Sequence, residues 1–447
     1  MKNIIKIQTN EKIKKSKEII KREKKKINEE RKKQLEEKAS KSKIANIIKK
    51  IVRPAKNIDK PISLKEQIFS MIYFEIIGAV LCLLILFALS GGKNYIKLYM
   101  DLSKLINVYD TINSNYYGEL DKEALIDGAI KSMIDNVGDA YTTYTDDSEN
   151  NALLDELQGT YEGIGCTVTM NEFGQIIVVD IFDDSPAKEA GLQSNDIITK
   201  IDEQDFSNRT SEEMANYIKS SSNSTIKLII TREEEEKELL IKRKKVEMPT
   251  VTSKIIEQDD KKVGYMDVSV FSAVTYNQFK KQLEQLEEKN IDGLIIDVRY
   301  DTGGYLSCVT DISSLFLKKG QVIYQLEDKS KKEKIKDNTK ESREYPVAVL
   351  INGISASASE ILASAIKESY GGIVIGTNSY GKGTVQKTKV LSDGSMIKYT
   401  TQNWLTPIGT WINEIGVEPT IEVDLDITSD KDNQLDIAVS EIIKKLN

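Results

Sequence analysis

The sequence predicts a multidomain chain that combines α+β and α/β layers, and three observations carry that expectation. Its 447 residues suggest two or three domains. Short apolar runs of β type, such as residues 294–298 and 345–351, alternate with segments of helical period such as 276–288. Residues 68–89, IFSMIYFEIIGAVLCLLILFAL, stand apart as one apolar stretch about as long as a bilayer core is thick.

Residues 1–67 form a basic arm with 23 Lys and Arg against 9 Asp and Glu. That is a net +14 in a chain whose total is −7, so the remainder carries −21. The arm has no glycine and poor heptad regularity, which suits a charged helix or a disordered tail and not a coiled coil. No nucleic-acid partner is expected, because the apolar stretch that follows gives a better reason for the charge. Residues 68–90 are read as a single transmembrane helix with one acid, Glu75, which can snorkel or pair. A signal peptide fits poorly so far from Met1, so an uncleaved anchor is expected. Basic residues favour the cytoplasmic side, which puts the N-terminus inside, the chain in the cell membrane and residues 93–447 in an extracytoplasmic compartment.

Residues 93–157 are expected to be a helical region, from the period in YIKLYMDLSKLINVYDTI and DKEALIDGAIKSMIDNV. Residues 158–245 contain a Gly-apolar-Gly loop, Gly163-Ile164-Gly165, ahead of a strand, then SPAKEAGLQSNDIITKID and a second helix near 211–219. Main-chain N–H groups in such a loop can hold a terminal carboxylate while a peptide adds as a strand, although a purely structural β module also fits. Residues 246–426 would make an α/β core, and 427–447 a closing helix.

The chain has no histidine, so a Ser-His-Asp triad cannot be built. In the core, 345–351 runs through Asn352-Gly353 into SASASEILASAI, a strand, turn and helix that would put Ser355, Ser357 or Ser359 at a helix N-terminus. Helix capping by serine is the plainer explanation. Downstream, Lys382 stands between Gly381 and Gly383 at the entrance to an apparent strand, where burial would favour the neutral amine. If that strand is regular, Gln386 shares a face with Lys382 and can orient it. Upstream, the strand at 294–298 runs into Tyr300-Asp301-Thr302-Gly303-Gly304, a glycine pair that either marks a tight turn or exposes N–H groups to a substrate carbonyl. Cys82, Cys166 and Cys308 imply no metal site and predict no disulfide.

These motifs together resemble the C-terminal processing peptidases, or tail-specific proteases. SASASEI followed by GKGTVQ is close to that family's signature, and the separation of 25 residues aligns Ser357 with its nucleophile. The resemblance implies a crotonase-like α/β protease core in which Lys382 is the general base and Gln386 its orienting partner. Gly303 or Gly304, with Ala358, would donate the oxyanion hole, although Asp301 and Thr302 replace the usual Asn and Pro. Residues 158–245 would be a PDZ domain inserted before the core, with Gly163, Ile164 and Gly165 holding a substrate's free C-terminus. The ending Gly138-Asp139-Ala140-Tyr141 and the element around Trp404 and Trp411 also match, so the likeness covers about 95–426. It implies a membrane-anchored serine endopeptidase acting on protein tails, without cofactor or metal, with homodimerisation as a further expectation. A PDZ scaffold with an inactive core and an acyl-transfer enzyme of crotonase type are the other functions open to this sequence.

Overall fold

The structure, a computed structural model, describes residues 63–89, 95–145 and 157–447. They divide into two units, one ending at Leu120 and one beginning at Asp121. The first holds α1 (Leu64–Leu89) and α2 (Tyr95–Asn115). Most of the basic arm lies outside the described residues. Helix α1 coincides with the expected anchor, and Phe69, Met71 and Phe74 on it are exposed. Among the described residues, however, no helix is long and apolar enough to cross a membrane, so the single transmembrane helix is not supported. Lys65 and Glu75 put charge on this helix.

The second unit opens with α3 (Lys122–Asp135), started by the Asp121 carboxylate, which accepts the Ala124 N–H at 3.0 Å. Strand β1 (Thr143–Thr145) follows. The next module begins with β2 (Thr160–Gly163), β3 (Cys166–Met170), β4 (Ile176–Ile181), the short α4 (Pro186–Glu189), β5 (Ile197–Ile201) and β6 (Gln204–Asp205). It continues with α5 (Ser211–Ser220), β7 (Thr225–Arg232), β8 (Glu235–Lys242) and β9 (Lys244–Glu247). Its antiparallel sheet runs β3-β4-β5-β7-β8, while β2 and β9 pair as a separate ribbon. Alternation in β7, TIKLIITR, turns Ile226, Leu228 and Ile230 into a core shared with Phe206 and Met214. Helix α5 starts at a capping box between Thr210 and Glu213.

The core domain contains β10 (Val251–Gln258), β11 (Lys261–Val268), α6 (Thr275–Glu288), β12 (Gly293–Asp297) and α7 (Leu306–Ser314). After these come β13 (Val322–Glu327), β14 (Lys332–Lys336), β15 (Val347–Ile351), α8 (Ala358–Ala365) with one π turn to Tyr370, and β16 (Ile373–Gly376). The chain closes with β17 (Thr384–Val390), β18 (Met396–Leu405), β19 (Ile421–Glu422) and α9 (Asn433–Leu446). The main sheet has the order β10-β11-β12-β15-β16-β19 and is parallel from β11 onward. Strands β12 and β15 are buried along their whole length, which is why they read as unbroken apolar runs. Helices α6, α7 and α8 cover one face, where Phe279, Ile312 and Leu362 pack, and α9 covers the other with Val439 and Ile442. A second sheet, β1-β18-β13-β14 with β17 also on β18, stands beside it.

Asp297 at the end of β12 is 2% exposed, and the Arg299 guanidinium grips it and the Asp432 carboxylate at the start of α9, each at 2.6 Å at closest. This clamp fixes the closing helix to the strand that leads into the Gly303-Gly304 loop.

Candidate active site

Parallel strands deliver their following loops to one edge of the sheet, so the turns after β12, β15 and β16 meet there. The turn after β15 carries the three candidate serines, and the structure separates them. Ser355 Oγ donates to the Val298 carbonyl at 2.7 Å, and Ser359 Oγ donates to the Asp301 carbonyl at 2.9 Å. Both are fully buried and stitch this turn to the loop after β12. Ser357 alone of the three lines the adjoining cavity of about 700 Å³.

Ser357 has φ 55° and ψ −110°, a conformation that L-residues avoid and that costs about 1–3 kcal/mol. Its N–H donates to Glu360 Oε2 at 2.7 Å, and its carbonyl accepts the Ile361 N–H at 3.0 Å. Glu360 is completely buried. Besides Ser357, it accepts the Lys382 N–H on Oε2 at 2.9 Å, and Ser379 Oγ and the Gly381 N–H on Oε1 at 2.6 and 2.7 Å. One carboxylate therefore holds the backbones of the serine and the lysine together. Burial pushes its pKa up, and these four donors oppose the rise by stabilising the anion. Sequence reasoning missed Glu360, although Ser-x-x-Glu at a helix start was the available signal.

Lys382 lines the same cavity. Burial is the main cause that lowers its pKa below the ordinary lysine value; the Lys398 charge adds to the effect and Glu360 opposes it. Its Nζ lies 5.2 Å from the centroid of the Tyr141 ring. Strand β1 brings that tyrosine in by pairing with β18, Thr143 opposite Lys398. The glycine frame holds the loop tightly: a methyl on Gly383 would stand 2.7 Å from the Asn413 nitrogen. Trp404 and Trp411 donate their indole N–H groups to the Lys382 and Gly383 carbonyls at 2.6 and 3.0 Å. Trp404 is buried and Trp411 half exposed, so the first is core and the second rim.

Gln386 also lines the cavity, but its amide donates to Thr384 and Thr400 hydroxyls at 2.8 and 3.2 Å. Among the described residues it makes no hydrogen bond to Lys382. The regular alternation expected there fails because Lys382 precedes β17 and the pairing with β18 slips between Val385 and Gln386.

Gly303 and Gly304 adopt φ of 103° and 146°, and Gly303 packs so closely that a methyl would stand 2.8 Å from Ser357 Cβ and 2.9 Å from the Ala358 nitrogen. The Gly303 N–H is held by Asp301 Oδ1 at 2.7 Å. Among the described residues the Gly304 and Ala358 N–H groups donate to no protein acceptor.

In the module of β2 to β9, Ile164 is buried and its carbonyl accepts the Ala187 N–H at 2.8 Å. Gly165 takes φ 84° and packs on Ser185. A mostly apolar cavity of about 430 Å³ lies beside this loop, lined by Ile164, Val168, Met214 and Ile218. The Tyr161 phenol also lines it; burial pushes its pKa to about 12, and a hydrogen bond from the Gly165 backbone opposes that rise. Cys166 and Cys308 are free thiols.

Residues 262–423 match the model of peptidase family S41, 163–242 a PDZ domain, and 90–149 the N-terminal domain of the activating protease CtpB. Over 325 residues the chain is 38% identical to the carboxy-terminal processing protease CtpB of Bacillus subtilis, covering 72% of this chain and 68% of that one. The chain belongs to the carboxy-terminal processing proteases of family S41. CtpA of the same organism is 34% identical, over 72% of this chain and 69% of its own length. Among solved structures, the photosystem II D1 C-terminal processing protease aligns at TM-score 0.44 with 23% identity, covering 74% of this chain and 87% of that one. The protein is thus a serine-type endopeptidase with a PDZ domain and an α/β protease core, acting on proteins or peptides.

Proposed function

We propose that this carboxy-terminal processing protease cuts substrate tails with a Ser357-Lys382 dyad, after its PDZ domain has taken the free C-terminus. The observation that carries this reading is the meeting of a strained helix-top serine and a half-buried, glycine-framed lysine in one cavity. Neutral Lys382 Nζ takes the proton from Ser357 Oγ, and Oγ attacks the substrate carbonyl carbon. Gly304 and Ala358 N–H groups receive the oxyanion. As the C–N bond breaks, the lysine ammonium returns its proton to the leaving amine. Water, deprotonated by the same amine, then hydrolyses the ester. Gln386 acts through the Thr384 and Thr400 hydroxyls, fixing the strand beside Lys382.

Gly163, Ile164 and Gly165 take the substrate carboxylate, and the apolar groove takes its last side chain. The segment 68–89 attaches the protein to a membrane with the catalytic region extracytoplasmic, a reading that rests on its apolar sequence and on the exposure of Phe69 and Phe74. Incubating the full chain with an unstructured protein, its tail free or amidated, tests the function. Ser357→Ala and Lys382→Ala should each abolish cleavage, and amidation should slow it. Cleavage that survives both substitutions would refute the dyad. Proteolysis of intact against opened cells tests the placement, since the catalytic region should be cut in intact cells.

A further inference from the structure

We propose that Lys398 makes the catalytic cavity selective for an acidic side chain near the bond to be cut, so that the preferred substrates carry Asp or Glu beside the cleavage point. The inference rests on the cavity being the place of cleavage. Lys398 lies on β18 with its side chain half-buried and lining that cavity. Alternation puts Met396 and Lys398 on one face of the strand, and both line the cavity as alternation requires. Across the ladder Lys398 faces Thr388 on one side and Thr143 on the other, neither of them an anion.

Among the described residues no Asp or Glu lines the cavity, and Lys398 has no ion pair. Other lysines of the same unit differ: Lys244 and Lys280, for example, each reach a glutamate, at 2.8 and 3.2 Å. A half-buried cation that shares its strand face with Met396 has lost part of its hydration without gaining a counter-charge. A substrate carboxylate supplies one. Lys387, also at the cavity wall, is exposed and keeps its hydration, so it gains less from a substrate carboxylate. Lys382 cannot serve the same purpose, since the reaction needs it neutral. The remaining lining residues at the reaction end are Ser357, Gly303 and Gly304, which bear no charge.

The test uses the full chain and a set of unstructured peptides with one common free tail. At each position around the cleavage point the residue is Glu, Gln or Lys in turn. At one position Glu should exceed Gln in kcat/KM by roughly tenfold, as a partly desolvated ion pair allows, with Lys below both. Raising the salt should shrink the difference. Lys398→Met should erase the preference and Lys398→Glu should reverse it, while Lys389→Met, on an exposed part of β17, should leave it in place. Equal rates for Glu, Gln and Lys at every position would overturn the proposal. So would a Lys398→Met variant that slows all peptides alike, since Lys398 would then act only on Lys382. Should the wild type cut none of the peptides, the cleavage reading falls, and anisotropy binding to the same set still decides the matter. Tighter binding of the Glu peptides that is lost in Lys398→Met supports the charge preference, and equal binding overturns it.

Discussion

Replacing Glu360 with Gln removes one oxygen and one charge from the point where the two halves of the active site join. The carboxylate accepts four donors, two per oxygen, at 2.6 to 2.9 Å. A glutamine offers one oxygen, which can keep the Ser357 and Lys382 N–H groups. Its NH2 then faces Ser379 and the Gly381 N–H. The Ser379 hydroxyl can turn and accept, although it already accepts the Val417 N–H at 2.6 Å. The Gly381 N–H cannot, and it is left buried against another donor. Two hydrogen bonds to a charged acceptor are lost or reversed, at about 1.5–3 kcal/mol each. Relief from burying an ion offsets part of this, so a net loss of about 3 kcal/mol is expected. Urea unfolding of Glu360→Gln and wild type measures it, with a common slope showing that the same cooperative unit unfolds. Because the Ser357 and Lys382 backbones shift with the carboxylate, kcat should fall roughly 100-fold, the usual penalty for misplacing a reacting group by about 1 Å. A variant within about 0.5 kcal/mol of wild type and with an unchanged kcat would refute the linking role, since loss of two bonds to a charged acceptor would exceed that.

Three further outcomes follow from the same geometry. Activity should rise with pH through the lowered pKa of Lys382, since only the neutral amine accepts the serine proton, and Lys398→Met should move that limb upward by removing a repelling charge; pH profiles of kcat/KM check both. Lys382→Met should abolish cleavage yet raise the melting temperature at neutral pH. Between the folded and unfolded pKa the unfolded chain binds more protons, so stability grows with pH there, and below the folded pKa the full cost of the buried charge is present. The gain in Lys382→Met should therefore shrink as pH rises, and a constant gain would count against a buried ammonium. Arg299→Ala leaves Asp297, 2% exposed, without its counter-charge and frees the start of α9, so urea unfolding should show a loss of about 3–5 kcal/mol.

What could be read in the sequence was local. Helix α6, helix α5 and strands β12 and β15 follow from the period of their own residues, so 275–288 and 347–351 sit within a residue or two of where the pattern places them. One short segment offers three serines and a glycine-framed lysine, and only the family resemblance singles out Ser357 among them. The parts that were not legible depend on pairing between distant segments. Tyr141 reaches Lys382 because β1 joins β18, a pairing that no local pattern announces. Gln386 was expected to orient Lys382, and it lines the same cavity, but its amide is taken by the Thr384 and Thr400 hydroxyls, the second of them on β18. Nor does a local pattern announce that the Asp301 side chain takes the Gly303 N–H in a two-residue Asx turn. At the N-terminus, apolar composition predicted a transmembrane helix, and the described part of α1 does not support one.

Glu360, Gly303 and the stitching serines explain how a strained residue persists at the head of α8, and that explanation can be tested without any substrate. Ser357 at φ 55° and ψ −110° is held by its neighbours, because its N–H is fixed by Glu360 and its flanks by Ser355 and Ser359. Replacement by alanine removes the hydroxyl but keeps a Cβ in the same unfavourable conformation. Replacement by glycine removes both. Glycine costs about 0.5–1 kcal/mol of extra chain entropy on folding, whereas the strain it relieves is about 1–3 kcal/mol. Ser357→Gly should therefore be more stable than Ser357→Ala by about 1 kcal/mol, a difference visible in urea midpoints at equal slope. If the alanine variant is equally or more stable, the positive φ is not a strained state. The proposed dyad would then need another source for the exposure of its serine.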